Sequence, residues 1–427
     1  MLLTESLTYI HVPQEKRMRL SVSLFIVFAV VYSGCSKEPE PQDVDKVSIS
    51  LITPSNGPAG TTVVIKGAHF GVDPSDNIVM FNNNAAAVLA SFVDSLVVIA
   101  PTNGTSGPVT VAVAGSTATG PDFTYTAADS VDVYVAAPAM GVVYWKNGQE
   151  ILLEPTQGNA GGAYGIAVSD TDVYVGSYTH FFNRYPSSQA AYWKNGQKTT
   201  LSSPNYEAVV RALVLSGNDL YAGGSENQEP VYWKNGVKYS LPMASNGHAR
   251  VHALAINGSD VYAAGFEAGP GNEQRSVYWK NGVETVLGKN GVVDIGATSI
   301  AINGNDVYVC ATDSGDAVYW KNGVKVILEK FPGGAPVAAN AIAINGKSVY
   351  VLGSYREDAV YWKDGKRITL PKRGLYAEAS AITFYQSDIY IGGQDGDSPV
   401  YWKNGERVSL CCSQHGSVSS IVVVKKR

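Results

Sequence analysis

The chain has 427 residues and a formal charge of −5, with only 16% charged residues, and it holds 44 glycines, 25 tyrosines and 7 tryptophans. That length suits two or three domains with sizeable cores, and a mildly acidic chain without basic blocks lacks the electrostatic footprint of a nucleic-acid binder. Glycine with β-branched and aromatic residues, in place of a surplus of helix formers, predicts an all-β protein.

Residues 1–34 read as a signal peptide, with Met18 as the alternative start to Met1. Lys16, Arg17 and Arg19 give a positive edge, and Leu20 to Tyr32 form an apolar stretch too short to span a bilayer as a helix. The stretch ends in Tyr32-Ser33-Gly34-Cys35, small residues directly before a cysteine. This resembles the bacterial lipobox, which implies that Cys35 is lipidated on its sulfur and becomes the mature N-terminus. A chance cysteine behind an ordinary signal peptide is the plainer alternative. Residues 35–46 would then be the lipidated cysteine and a tether, because Ser36-Lys37-Glu38-Pro39-Glu40-Pro41 is polar and cannot pack a core. An acidic stretch at this place also resembles the export signal of surface lipoproteins in Bacteroidetes-type bacteria. The resemblance implies an exported protein held on the outer membrane by lipid alone, its choice of leaflet left open.

Cys310, Cys411 and Cys412 do not make a disulfide framework. The adjacent pair is expected as packed or free thiols, with a strained vicinal disulfide as the alternative. Six scattered histidines and no Cys/His spacing predict no metal, and no cofactor is expected.

Residues 47–126 alternate apolar and polar positions in short runs between Gly, Pro and Asn turns, the pattern of a β-sandwich. Ile52-Thr53-Pro54, Gly57-Pro58-Ala59-Gly60-Thr61-Thr62-Val63-Val64-Ile65-Lys66-Gly67 and Phe70-Gly71 stand in order, followed by Val79-Met80-Phe81, Ala100-Pro101, Gly107-Pro108-Val109-Thr110-Val111 and Phe123-Thr124-Tyr125. Together these resemble the IPT/TIG domain, an immunoglobulin-like module. The resemblance implies a spacer or interaction domain; the DNA-binding use seen in some members does not carry over to a copy without a basic face. A stalk is the expected role, and whether it binds anything itself stays open.

From residue 131 onward the chain is one repeat. Tyr-Trp-Lys-Asn-Gly starts at Tyr144, Tyr192, Tyr232, Tyr278, Tyr319, Tyr361 and Tyr401, with Asp364 once in place of Asn, and these copies contain every tryptophan. Their spacings of 48, 40, 46, 41, 42 and 40 residues have the period of a four-stranded propeller blade. Each unit reads as an Ala/Ile strand, an Asp-Val-Tyr-Val strand, the Val-Tyr-Trp strand and a short fourth strand, the last two joined by the Asn-Gly of a type I′ hairpin. The first unit lacks its Ala/Ile strand, and Ser419-Ser420-Ile421-Val422-Val423-Val424 is a surplus one at the other end. Pairing the two predicts a seven-bladed β-propeller over 131–427 closed by its C-terminal strand, with an open solenoid as the rival. The units resemble YWKNG-type propeller repeats of exported bacterial proteins and, more loosely, HAF-type repeats, neither of which implies an activity.

In such a meander, connections one and three share one face of the ring, and connection two shares the other with the inter-blade link. The first pair is short and repeated; the second varies, which makes its face the expected binding face. Its candidates are Tyr178, His180, Phe181, Phe182, Arg184 and Tyr185 in the longest insertion, with Tyr206, His248, Arg250, Phe266, Arg275, Tyr355, Arg356, Tyr376, Asp395 and His415 elsewhere. The residue opening each Ala/Ile strand is polar and varied: Tyr164, Arg211, His252, Thr298, Asn340, Ser380 and Ser419. If that strand is innermost, these seven ring the mouth of the channel, where they face either an asymmetric ligand or water. The repeated lysines such as Lys146 and the turn aspartates Asp172, Asp219, Asp260, Asp306 and Asp388 are expected to be structural.

Aromatic planes beside Arg and Asp suit sugar rings, so the expected function is non-enzymatic capture of a glycan by a surface lipoprotein, most simply a monomer. A protein–protein adhesion scaffold is the second reading. A polysaccharide hydrolase or lyase is the third: the mouth positions offer no carboxylate pair, and Glu226, Glu267, Asp313, Glu357 and Asp395 read as scattered. No Gly-x-Ser-x-Gly elbow or phosphate-cradling loop is present.

Overall fold

A computed structural model describes residues 46–426 apart from 128–129, 139–140, 156–160, 181–184, 186, 245–246, 269–273, 290–295, 331–332, 334–336 and 411–415. The signal segment, Cys35, Cys411, Cys412, His415, Phe181, Phe182, Arg184 and the side chain of His180 therefore lie outside the described residues. The described chain is all-β, with one short 3₁₀ turn at Pro74–Asp76 and no helix long and apolar enough to cross a membrane.

The domain expected over 47–126 comes first. Ser48–Thr53 pairs with Thr62–Ala68, which pairs in turn with Ser95–Ile99 and then Asn84–Phe92. Asn84–Phe92 also meets Ile78–Phe81, which leads on to Gly107–Val113 and Ser116–Tyr125. Alternate residues of these strands turn inward, and Val63, Ile65, Val79, Phe81, Leu96, Val98, Val109, Val111 and Phe123 form the core. Phe81, Phe123 and Tyr125 meet edge to face at 5.1 Å between ring centroids.

Seven four-stranded antiparallel sheets then form the propeller. Blade one is Val131–Ala136, Val142–Lys146 and Gln149–Glu154, completed by Ser420–Lys425. The closing strand pairs Ser420 with Ala136 through to Lys425 with Val131, so the first and last pieces share a sheet as the sequence predicts. Blades two to seven occupy residues 163–200, 208–240, 249–289, 299–329, 337–369 and 377–409. The first strand of each packs against the first strand of the next, and Ser420–Lys425 packs against Ala163–Val168, which makes the Ala/Ile strands the inner ring.

The tryptophans are buried to 2% exposure or less, each between its own blade and a neighbour. The rest of the pentapeptide serves the blade edge. In blade five, Asn322 accepts the Val307 N–H and donates to Asp306 at 2.8 Å, and Lys321 reaches the same aspartate at 2.8 Å while lying over Tyr308. These contacts hold Asp306 below its usual carboxylate range, Lys321 foremost, and raise the lysine. The arrangement recurs at Asp132, Asp172, Asp219, Asp260 and Asp388. Blade six inverts it: Ser348 stands for the aspartate, and Asp364 accepts the Val349 N–H. The repeated Lys and Asp are structural, as predicted.

The third connection differs from the first even where the first also carries Asn-Gly, as at Asn257-Gly258 in blade four. In the third connection both residues have positive φ, 52° at Asn147 and 80° at Gly148, as a type I′ turn requires. In the first, only the glycine does, 60° at Gly258, and Asn257 is the last residue of its strand.

Candidate functional site

All seven predicted mouth residues line one cavity of about 280 Å³: Tyr164, Arg211, His252, Thr298, Asn340, Ser380 and Ser419. They do not open their strands, however. The inner strand of blade three begins at Ala208, and Val210 pairs with Gly224 while Ala212 pairs with Gly223, so Arg211 is the extra residue of a β-bulge. Tyr164, His252, Asn340 and Ser380 are the extra residues at the matching places in blades two, four, six and seven. Thr298 and Ser419 instead sit just ahead of Ser299–Asn303 and Ser420–Lys425.

A bulge bends its strand and re-aims one side chain; here it turns a polar residue into the channel from an otherwise apolar strand. It also carries a backbone carbonyl toward the second strand. A Cβ at Gly224, Gly265, Gly353 or Gly393 would stand 1.8–1.9 Å from the carbonyl oxygen of Val209, Arg250, Ala338 or Glu378. The glycine opposite four of the five bulges, replaced by Ser177 in blade two, is thus the local sequence signal that the strand count alone overlooks.

Five members of the ring are tied into the wall by one repeated contact. His252 Nδ1 lies 3.1 Å from the Ala297 carbonyl, Thr298 donates to Ala339 O at 2.9 Å, and Asn340 to Ala379 O at 3.0 Å. Ser380 donates to Val418 O, and Ser419 to Ala163 O at 2.9 Å. Each acceptor is the carbonyl just before the next member of the ring, so these side chains lace neighbouring inner strands together. A second contact reaches the residue two places before the next member: Asn340 donates to Glu378, and Ser380 Oγ lies 3.0 Å from Ser417 Oγ. Tyr376 also donates to Glu378, at 2.6 Å. Its hydroxyl is pushed up by burial and by that carboxylate.

Tyr164 and Arg211 are not laced in this way. Tyr164 stacks on Tyr178 with centroids 5.7 Å apart and planes 15° from parallel, and the Arg211 guanidinium lies 4.2 Å above the Tyr164 ring. Burial and the Tyr178 hydroxyl push Tyr164 up to about 12. The residue two places before His252 is Arg250, so the relation that joins Asn340 to Glu378 here brings two cations together. Burial first, then Arg211, lowers the Arg250 guanidinium. Burial and both arginines hold His252 down at about 4, which keeps its imidazole neutral near pH 7. His248 and His252 flank Phe266 at 5.5 and 5.4 Å.

The remaining predicted residues do not line this cavity. Tyr178, Arg250, Phe266, Arg275, Tyr355 and Asp395 lie in strands rather than loops. Connection two also varies less than its predicted role requires: in blades three, five, six and seven it is a two-residue turn such as Arg356-Glu357. The hairpin strands there run to the rim, leaving longer connections only in blades one, two and four. Tyr355 packs beneath Arg367 at 3.8 Å, and Tyr185 is 73% exposed away from the cavity lining.

Nor are four of the five carboxylates scattered; Glu357 alone stands apart, in the two-residue turn of blade six. Glu226, Glu267, Asp313 and Asp395 occupy one repeated position near the end of the second strand, all buried and each paired with Lys238, Arg275, Lys325 or Arg407. Glu226 and Asp395 also cap the N–H groups of the preceding link, at Ser203 and at Arg373 and Gly374. They hold loops to blades; sequence spacing hides this because the link lengths differ. A wider hollow of about 780 Å³ lies on the opposite face, at the seam of blade one. It contains the Asp132–Lys146 pair of the blade-edge module at 2.9 Å and none of the varied ring.

The IPT/TIG domain family matches residues 48–127. No curated protein matches the chain. Among solved structures, a structural genomics protein of unknown function from Bacteroides thetaiotaomicron is 12% identical, covers 90% of this chain and 99% of its own, and gives a TM-score of 0.38. Two auxiliary nutrient binding proteins are also similar. The one from Bacteroides thetaiotaomicron is 14% identical over 81% of this chain and 95% of its own, with a TM-score of 0.33. The one from Bacteroides ovatus is 13% identical over 88% of this chain and 90% of its own, with a TM-score of 0.31. The chain joins an IPT/TIG domain to a seven-bladed β-propeller.

Proposed function

We propose that this protein is a surface lipoprotein, anchored through Cys35, whose propeller captures a glycan at the channel mouth without cleaving it. The observation that carries this reading is the ring itself. Seven non-equivalent polar residues converge on one cavity of about 280 Å³, while the repeated charges are paired within the blades. That volume lies just below the ~300–1,000 Å³ usual for drug-sized ligands, so it suits one sugar unit or its substituent rather than a buried chain. Stacked Tyr164 and Tyr178 offer aromatic surface, and the laced ring offers rigidity. A hydrolase would need two carboxylates across the site; the one carboxylate hydrogen-bonded to a ring residue among the described residues is Glu378, which also accepts from Tyr376.

Glycan-array binding by the purified protein tests the reading. Binding that Arg211→Ala or His252→Ala reduces at least tenfold supports it. An array without a hit, together with recovery of one specific protein in a pull-down, replaces it with the adhesion scaffold. Product release from any polysaccharide revives the enzyme. A palmitate analogue should label Cys35, and an unlabelled, freely secreted protein would remove the anchor.

A further inference from the structure

We propose that the mouth of the channel recognises an anion, the carboxylate or sulfate of an acidic sugar, held between Arg211 and Arg250. This rests on the glycan reading above and names the class of glycan.

Three observations converge. First, position: Arg211 is aimed into the cavity by its bulge, and Arg250, just outside the cavity lining, stands two residues before the next ring member, where Glu378 and Ser417 meet their ring partners elsewhere. Second, missing partners: the Nε atoms of both arginines are buried without an acceptor, and no carboxylate pairs with either guanidinium among the described residues. Elsewhere in the propeller a half-buried arginine has its acid: Arg275, whose Nε likewise lacks an acceptor, has Glu267 at 3.0 Å, and Arg407 has Asp395. Third, surroundings: the neighbours of the pair are Tyr164, Tyr178 and a neutral His252, so no acid among the described residues neutralises it.

Two adjacent, partly desolvated like charges are costly in an empty site, and a bound anion removes that cost. A guanidinium fork fits carboxylate or sulfate oxygens through paired N–H donors, and it does so most strongly where water is excluded. The stacked tyrosines beside it give a sugar ring a surface while its acidic group reaches the arginines. Glu378 lies across the ring, in blade seven, so the mouth is positive on one side and negative on the other. An acidic sugar therefore enters in one orientation.

Calorimetric titration of the purified protein with tri-galacturonate, a sulfated disaccharide and a neutral galactotriose tests this, alongside thermal melts in inorganic sulfate. At least one acidic saccharide should bind tenfold or more tighter than the neutral one, and Arg250→Gln should abolish the difference. Which acidic saccharide wins assigns carboxylate or sulfate. Arg250→Gln should melt at or above the wild-type temperature, because it removes an unpaired buried charge. Lys347→Gln, an exposed change of equal charge on the opposite face, should leave binding intact. Equal binding of neutral and acidic saccharides, unchanged in Arg250→Gln and Arg211→Gln, overturns the anion site and leaves glycan capture standing. Stabilisation by sulfate that Arg250→Gln removes, with no saccharide bound, keeps the anion site and sinks the glycan reading. Binding of neither sinks both.

Discussion

Asp306 and Asp313 lie seven residues apart in one blade, both pair with a lysine, at 2.8 and 2.7 Å, and both hold the blade together. Arg407 and Arg250 make the opposite comparison. Arg407 pairs with Asp395, whose carboxylate burial would raise but which the Gly374 and Arg373 amides and Arg407 hold below its usual range. Arg407→Gln breaks a buried pair and should cost about 3–5 kcal/mol in denaturant unfolding, whereas Arg250→Gln should cost nothing. A cost for Arg250→Gln equal to that for Arg407→Gln would mean that the arginine has a structural partner. Glu284 provides a pH test. It pairs with Trp279 in register, where Lys238, Lys325 and Arg407 stand opposite Trp233, Trp320 and Trp402. Burial, and then Glu267, pushes Glu284 up to about 7 from its ordinary 4.5. A carboxyl raised by folding favours the folded state while it is protonated. Its contribution is therefore complete below about pH 4.5 and is lost as the pH rises toward 7. Melting temperature should fall between pH 5 and 8 more steeply in the wild type than in Glu284→Gln; parallel curves would place the titration elsewhere.

At the scale of the strand, the bulge decides which side chain reaches the channel. Polar, varied residues at one place in a near-repetitive apolar strand are visible in the sequence, and they identify the ring correctly. Their placement as strand openers is wrong, because the three residues before the bulge in blades three, four, six and seven read as linker until Val209, Arg250, Ala338 and Glu378 are seen against their glycines. The lacing is likewise invisible in sequence: a hydroxyl, an amide and an imidazole all make the same inter-blade contact, so no residue type repeats. Gly353→Ala would drive a methyl into the Ala338 carbonyl at 1.8 Å. It should destabilise the propeller by ~1–3 kcal/mol or more, measured by chemical unfolding, and it should weaken ligand binding by displacing Asn340. A stable variant with unaltered binding would show that the bulge does not position the ring.

At the scale of the whole molecule, the architecture is legible because a closed ring of blades repeats its sequence. One tryptophan per blade gives the blade number, and the unmatched first and last strands give the closure. The site is only partly legible for the same reason. Function lies where the repeat breaks, and a break carries no internal reference to say whether it binds or packs. Tyr355 and Asp395 look like loop residues in the sequence and are packed in the structure, whereas Arg250 stays unpaired. Closure itself is testable. Deleting residues 420–427 leaves Val131–Ala136 as an open edge, and the shortened chain should aggregate on size-exclusion chromatography and lose its sharp melt. A monomeric, cooperatively folding product would mean that blade one is stable with three strands. The central claim is that ligand occupies the mouth between blades two and four, and a crystal structure with the tightest array hit tests it most directly. Density for a sugar in contact with Tyr164 and the Arg211 and Arg250 guanidinium groups is the result predicted here; density only on the opposite face or along the outer strands would contradict it.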